Sequence, residues 1–391
     1  LESSIDQQPG VRRAHTLARD AVDAVREFHA AVAQDDMVLV VFFCSSSYDL
    51  DRLGAEMKRA FAGIEVIGCT TAGEIGPAGY VAGSLSGMSF AASRFTAVCG
   101  CIERLRQFDI AAGQAFGKDL LQRMGQRGTG AAGDNTFALL LIDGMSVREE
   151  PVARAVQSVL GAIPLVGGSA ASSGEAIAPV VYYGGRFAHD RAVVALLSTP
   201  LPVRLFETHH FVASDERLVV TEADTERRVV KEINGLPAAQ EYARRLGVAP
   251  HELGPEIFSA SPVVVLIDGK SYVRSIHKAN ADGSLTFFCA IENGLILRIA
   301  HTGDLYGKLA DSFAQLRSEI GQPLLVIACE CVLRRAEVLR SAQNERIVDL
   351  LLANRSTGFC TYGEQYRGIH LNQTLTAVAI GQAPGGGGDD A

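Results

Sequence analysis

The sequence predicts a mixed α/β fold, in which an internally duplicated β-α-β-hairpin unit with mixed sheets flanked by helices is followed by a related C-terminal domain. Three observations lead there. Apolar runs of strand length alternate with helical stretches. One order of elements returns 99 residues after its first appearance. Paired short strands interrupt the alternation, which suits a mixed sheet covered by helices better than a purely parallel, doubly wound one.

Taken in order, Val11, His15, Ala18, Val22, Val25, His29 and Val32 recur at spacings of three and four and predict a first helix, ended by Asp35 and Asp36. VLVVFFC (38–44) reads as a strand, SSSYD as a turn, 50–61 as a helix and EVIG (65–68) as a short strand. The loop CTTAGEIGPAGYVAG follows, then a hairpin of 85–92 with 95–102 turning at Ser93 and Arg94.

The second copy starts at FALLLID (137–143), continues through the helix EEPVARAVQSVLG and reaches IPLVGGSAASSGE (163–175), so that Gly68, Thr70 and Ala72 fall on Gly167, Ser169 and Ala171 without a gap. A second hairpin, 180–185 with 191–198, closes it. A fainter third copy runs from PLLVIAC (323–329) through a helix at 346–354 to TGFCTYGE (357–364) and QTLTAVAI (373–380). Before it lie short strands in VRLFETHHFV, RLVVTEA and RRVVKEING. A helix over Ala238–Leu246, stopped by Gly247, and a meander of PVVVLID, SYVRSIHKA, LTFFCAI and LILRIAH complete this stretch. The expected division is an N-terminal helix over 1–35, a duplicated domain over 36–200, a C-terminal domain over 201–381 and a flexible tail from 382 to 391.

Composition narrows the function classes. At 391 residues, with 48% hydrophobic and 20% charged residues, the chain is globular and long enough for two or three cores. A net charge of -8 without a basic run argues against nucleic acid as a partner. The apolar runs are far shorter than a membrane span, so no membrane insertion is expected. Five of the eight cysteines lie in or beside apolar runs, which points to a reducing, cytoplasmic setting.

The equivalent loops at the carboxyl ends of the short strands are the first candidates for chemistry, since backbone N–H groups and small side chains gather there. Cys69, Thr70, Thr71 and Glu74 line one and Ser169, Ser172 and Ser173 the other, either around a ligand or as turn and capping groups. In TYGEQYRGIHLNQT (361–374), the residues Tyr362, Glu364, Tyr366, Arg367, His370 and Asn372 converge on a ligand or seal an interface. Neither GxSxG, a P-loop, HExxH nor GxGxxG after a strand is present, and the expectation is that the chain is not an enzyme. CGC (99–101) and CEC (329–331) have one residue between their cysteines, closer than zinc knuckles use. Among histidines, His209 and His210, adjacent in an apparent strand, and His301, at a strand end, rank as candidate ligands for a haem iron, with one expected to bind.

IEVIGCTTAGEIG, AGYVAGSLSGMSF and IPLVGGSAAS resemble the N-terminal domain of the FIST family. VVTEAD, RVVKEINGLPAAQEYARRLG, HTGDLYG and GFCTYGEQYRGIHLNQTLT resemble its C-terminal domain, and together they cover about 36–380. The resemblance implies a sensory module for a small ligand of the amino-acid kind. A stand-alone chain of this length resembles the branch of haem-binding nitric oxide sensors, which implies haem as cofactor, a gas ligand and a histidine kinase as partner in two-component signalling; a homo-oligomer is compatible with it. Two rival classes stay open: a haem-free module for an amino acid or similar metabolite, using the Thr70 and Tyr362 regions, and a hydrolase using a thiol or hydroxyl.

Overall fold

The computed structural model describes residues 4–128, 135–174, 177–267 and 269–382. Glu175 and most of the predicted tail, 383–391, lie outside the described residues.

The strand Met37–Ser45 shows how sequence becomes architecture here. It is almost wholly apolar, and successive side chains point to opposite faces. Leu39, Val41 and Phe43 enter a central core, while Val40, Phe42 and Cys44 pack outward under helices. Thr136–Asp143 divides the same way, with Phe137, Leu139 and Leu141 inward and Ala138, Leu140 and Ile142 outward. So does Leu325–Cys331, whose Leu325, Ile327 and Cys329 face the centre. Burial on both faces explains why these runs lack polar alternation.

Each of these strands belongs to one of three repeats arranged about the shared core. The first comprises the strand Val11–Thr16, the helix Ala21–Val32, Met37–Ser45, the helix Leu50–Ala60, the strand Glu65–Thr71, a short hairpin of Glu74–Gly76 with Gly79–Val81, and the strand Leu85–Ala91. The second repeats this order: Thr96–Glu103, helix Ile110–Gln126, Thr136–Asp143, helix Glu149–Leu160, Leu165–Ala170, hairpin Val181–Tyr183 with Arg186–Ala188, and Arg191–Ser198. The third opens with Val203–Thr208, and its first helix, Leu305–Ile320, comes only after an insert. Leu325–Cys331, helices Val332–Arg340 and Asn344–Ala353, Ser356–Thr361, hairpin Glu364–Tyr366 with Ile369–Leu371, and Leu375–Ile380 complete it. The insert, residues 211–302, forms an antiparallel sheet carrying the helix Ala238–Leu246, which Gly247 ends in the left-handed conformation.

The short hairpins are exchanged in a ring. That of the first repeat pairs with Ser356–Thr361 of the third, that of the third with Leu165–Ala170 of the second, and that of the second with Glu65–Thr71 of the first. Backbone bonds lock the three crossings: Ala72 N–H donates to the Cys360 carbonyl, Tyr362 to Ser169 and Ala171 to Thr70. The recurrent glycine of the third strand in each repeat has a steric cause. A Cβ would lie 2.6 Å from Phe42 at Gly68, 2.0 Å from the Leu140 carbonyl oxygen at Gly167 and 1.7 Å from that of Ala328 at Gly358. Phe43 and Phe359 stack across the centre, 4.5 Å apart.

Several expectations are corrected. Residues 11–16 are a strand, turned at Pro9 and Gly10, and the helix begins at Ala21 after the cap Asp20; His15 and Val11 therefore do not belong to its stripe. Neither expected hairpin forms, because Leu85–Ala91 and Thr96–Glu103 lie in different sheets, as do Val181–Tyr183 and Arg191–Ser198. The insert is not a simple meander, since its strand Ile296–Thr302 sits between Phe211–Asp224 and Val263–Ile267.

Candidate functional site

The polar residues at the strand ends divide by role. In the first repeat the Thr71 hydroxyl donates to the Glu74 carboxylate, which also accepts from the Ser84 N–H at 3.1 Å and its hydroxyl at 2.8 Å. The third repeat reproduces this with Thr361, Glu364 and Thr374, whose N–H and hydroxyl lie at 3.3 and 2.7 Å. Both glutamates are fully buried, and burial raises their pKa values to about 7 and about 8 against the pull of these hydrogen bonds. They pin each exchanged hairpin to the strand that follows it. The Thr70 hydroxyl accepts from the Val180 N–H at 2.9 Å, anchoring the second repeat's hairpin. Cys69 lies in the central core, and burial raises its thiol pKa well above the usual value. Arg367 stands exposed at a hairpin tip with φ 49°.

Tyr362 and Ser172 meet elsewhere, where the loops of the third and second repeats cross under the insert. Their hydroxyls are 3.1 Å apart. With Met145, His277, Lys278 and Phe288 they line an open pocket of about 540 Å3 between insert and repeats. His277 and Phe288 stack at 4.5 Å, and Phe288 approaches Tyr362 at 6.3 Å. Arg228 of the insert clamps the junction by donating to Glu149 at 2.6 Å, Glu150 at 2.5 Å and the Phe288 carbonyl at 2.6 Å.

Behind Tyr362 is a buried polar cluster. The Gln365 amide nitrogen faces the Gly363 carbonyl, which can only accept, and also donates to the Ser169 hydroxyl at 2.9 Å and to His370 Nδ1 at 3.1 Å. His370 therefore carries its proton on Nε2, toward the Phe288 carbonyl but short of a well-formed bond. Burial lowers the His370 pKa to about 4 and keeps the ring neutral. Asn372 Oδ1 accepts from the Ser275 N–H at 3.5 Å, while Asn372 Nδ2, Gln365 Oε1 and Ser275 Oγ have no partner. A Cβ on Gly363 would lie 2.6 Å from His370 Nε2 and 3.0 Å from Asn372 Nδ2.

The three histidines proposed for iron do not converge. His209 and His210 form the link between Val203–Thr208 and Phe211–Asp224, not a strand pair. Both nitrogens of His210 are engaged: Nε2 donates to Glu337 at 2.8 Å, and Nδ1 accepts from Arg334 at 3.3 Å. His301 is exposed on an insert strand. His210 is thus held by two partners and His301 is exposed, so neither is placed to hold a haem iron. Among the described residues, no three His, Cys, Asp or Glu side chains are grouped to hold a metal ion, and the CGC and CEC thiols are raised by burial.

Compared with known families, residues 38–236 match the FIST N domain and residues 238–367 the FIST C domain. The chain belongs to the FIST family. The passage from one FIST domain match to the next falls inside the insert, not between repeats. No curated protein matches. Among solved structures, this FIST chain is similar to one described as the crystal structure of cyanuric acid hydrolase from A. caulinodans, at 10% identity, 96% of this chain, 100% of that chain and a TM-score of 0.31. The flat expectation of a non-enzyme is withdrawn, and a likeness this slight carries no reaction over to the chain. The haem-binding, nitric oxide and two-component expectations are likewise withdrawn, since the family match selects no such branch and the named histidines are otherwise placed. Among the described residues, no helix is long and apolar enough to cross a membrane.

Sequence reasoning reached Tyr362, Ser169, Ser172, His370 and Asn372 but missed the insert's wall of His277, Lys278 and Phe288. Arg274, His277 and Lys278 within one short apolar segment, SYVRSIHKA, were the available signal.

Proposed function

We propose that this FIST chain is a haem-free sensory module that binds a small metabolite of amino-acid size in the pocket between insert and repeats. The observation carrying this reading is the gathering of unpartnered polar atoms, Asn372 Nδ2, Gln365 Oε1 and Ser275 Oγ, behind a pocket rimmed by hydroxyls, an ammonium and aromatic faces. Buried polar groups are normally satisfied, and each left unmade costs about 1–3 kcal/mol. A ligand or ordered water that completes them favours one placement of the insert over another, and that difference in binding energy is the signal.

Calorimetry and thermal shift with the proteinogenic amino acids test this reading. One or a few should bind and raise Tm, and Ser172→Ala and Tyr362→Phe should each weaken binding by about tenfold, or about 1.4 kcal/mol. Binding that both variants leave unchanged would place the ligand elsewhere, and silence across the panel would remove the amino-acid class.

A further inference from the structure

At the root of the insert lies a second cluster that the proposed pocket does not use. Arg334 and Arg335 are the third and fourth residues of the helix Val332–Arg340, which has no side-chain cap at its N-terminus. The Arg335 guanidinium lies 3.5 Å above the Tyr80 ring. The Tyr80 hydroxyl donates to Glu330, and the other oxygen of that carboxylate takes Arg334 Nε at 3.1 Å. Two guanidinium groups thus flank one phenol and one carboxylate. Each keeps a buried N–H with no acceptor, Arg334 Nη2 and Arg335 Nη1, and Arg334 as a whole is 1% exposed. His209 Nδ1 is also buried and unpartnered, while its ring bonds the Ser271 backbone and lies near His210, Arg334 and Lys308. Glu330 pairs with Arg334 and Glu337 with His210, while Arg335 stacks on Tyr80 and Lys308 lies near His209.

The other two repeats mark the same position as a concavity. Where the first strand-to-helix connection meets the end of the second strand, the first repeat has a pocket of about 530 Å3 at Arg19, Ser47 and Tyr48. The second has one of about 400 Å3 at Arg106, Asp143 and Ser146. In the third repeat the insert leaves the chain at this point, and His209, Arg334 and Arg335 follow the corresponding strand ends.

We infer that this cluster binds a small tetrahedral oxyanion, inorganic phosphate or a phosphomonoester, through the free N–H groups of Arg334 and Arg335 with His209 beside them. A carboxylate prefers the two parallel donors of one guanidinium. Here the spare donors come singly from separate side chains, which suits oxygens spread around a phosphorus. A bound anion would tie together the insert root at His209, the third repeat's helix and Tyr80 of the first repeat's hairpin. The inference is independent of the pocket under Tyr362.

Isothermal titration of the full chain with inorganic phosphate, at constant ionic strength and beside acetate, tests it. Phosphate should bind once per chain, acetate at least about tenfold more weakly, and Arg335→Gln and His209→Ala should each weaken phosphate by about tenfold or more. Circular dichroism checks that each variant is folded; if Arg335→Gln is not, His209→Ala decides. The absence of phosphate binding by the unaltered chain, equal binding of acetate, or unchanged affinity in the folded variants would overturn the inference.

Discussion

The second repeat differs from the first and third at the point where each hands over its hairpin. In the first and third, the hairpin starts three residues after the strand, pinned by Glu74 or Glu364. In the second, Ala170 and Ser173 stand at the positions of the threonine and glutamate, and the hairpin starts only at Val181. The longer connection supplies Ser172, Ile177, Ala178 and Pro179 to the pocket. All three repeats close the ring, two of them through a buried glutamate, and the one without that glutamate forms a binding wall.

The largest effect should come from breaking a pin. Glu364→Ala leaves the Thr361 and Thr374 donors buried without an acceptor and should cost about 3–5 kcal/mol in urea unfolding. Ser173→Ala, at the matching position, should stay within about 0.5 kcal/mol. Comparable losses at both sites would erase the distinction between repeats.

A pH profile sharpens it further. Glu74 and Glu364 have folded pKa values raised to about 7 and about 8, so their contribution is complete below the ordinary carboxylate range and is lost as pH rises through 7 and 8. His370, lowered to about 4, acts oppositely: its contribution is lost as pH falls from its ordinary value toward 4. Summed over these three groups, stability should be greatest near about pH 4 and fall toward pH 8, and Glu364→Gln should make that fall shallower. A smaller effect is expected from Gly363→Ala, whose Cβ would lie 2.3 Å from His370 Cε1. It should cost about 1–3 kcal/mol and impair ligand binding, whereas Gly174→Ala, with open space around it, should leave stability within about 0.5 kcal/mol.

The duplication was legible because glycine is enforced at Gly68, Gly167 and Gly358 by strand contact, and the third copy because Thr361 and Glu364 reproduce Thr71 and Glu74. The hairpin exchange was not. Strands buried on both faces carry no alternation to reveal a partner, and the pairing is set by contacts distant in sequence. The helix Ile110–Gln126 was missed because Gly113 and Gly117 sit on its buried face, where they weaken the apolar stripe and admit Phe108, Ala155 and Val159. The pocket escaped detection in part because its walls come from four stretches, at residues 145, 172–179, 277–288 and 362.

Hydrogen exchange, with and without the tightest-binding amino acid, tests the central claim most directly. The account predicts added protection in 171–180, 275–290 and 362–372, with little change at the pinned turn 72–84. Protection centred on 72–84, or spread evenly over the three repeats, would contradict it.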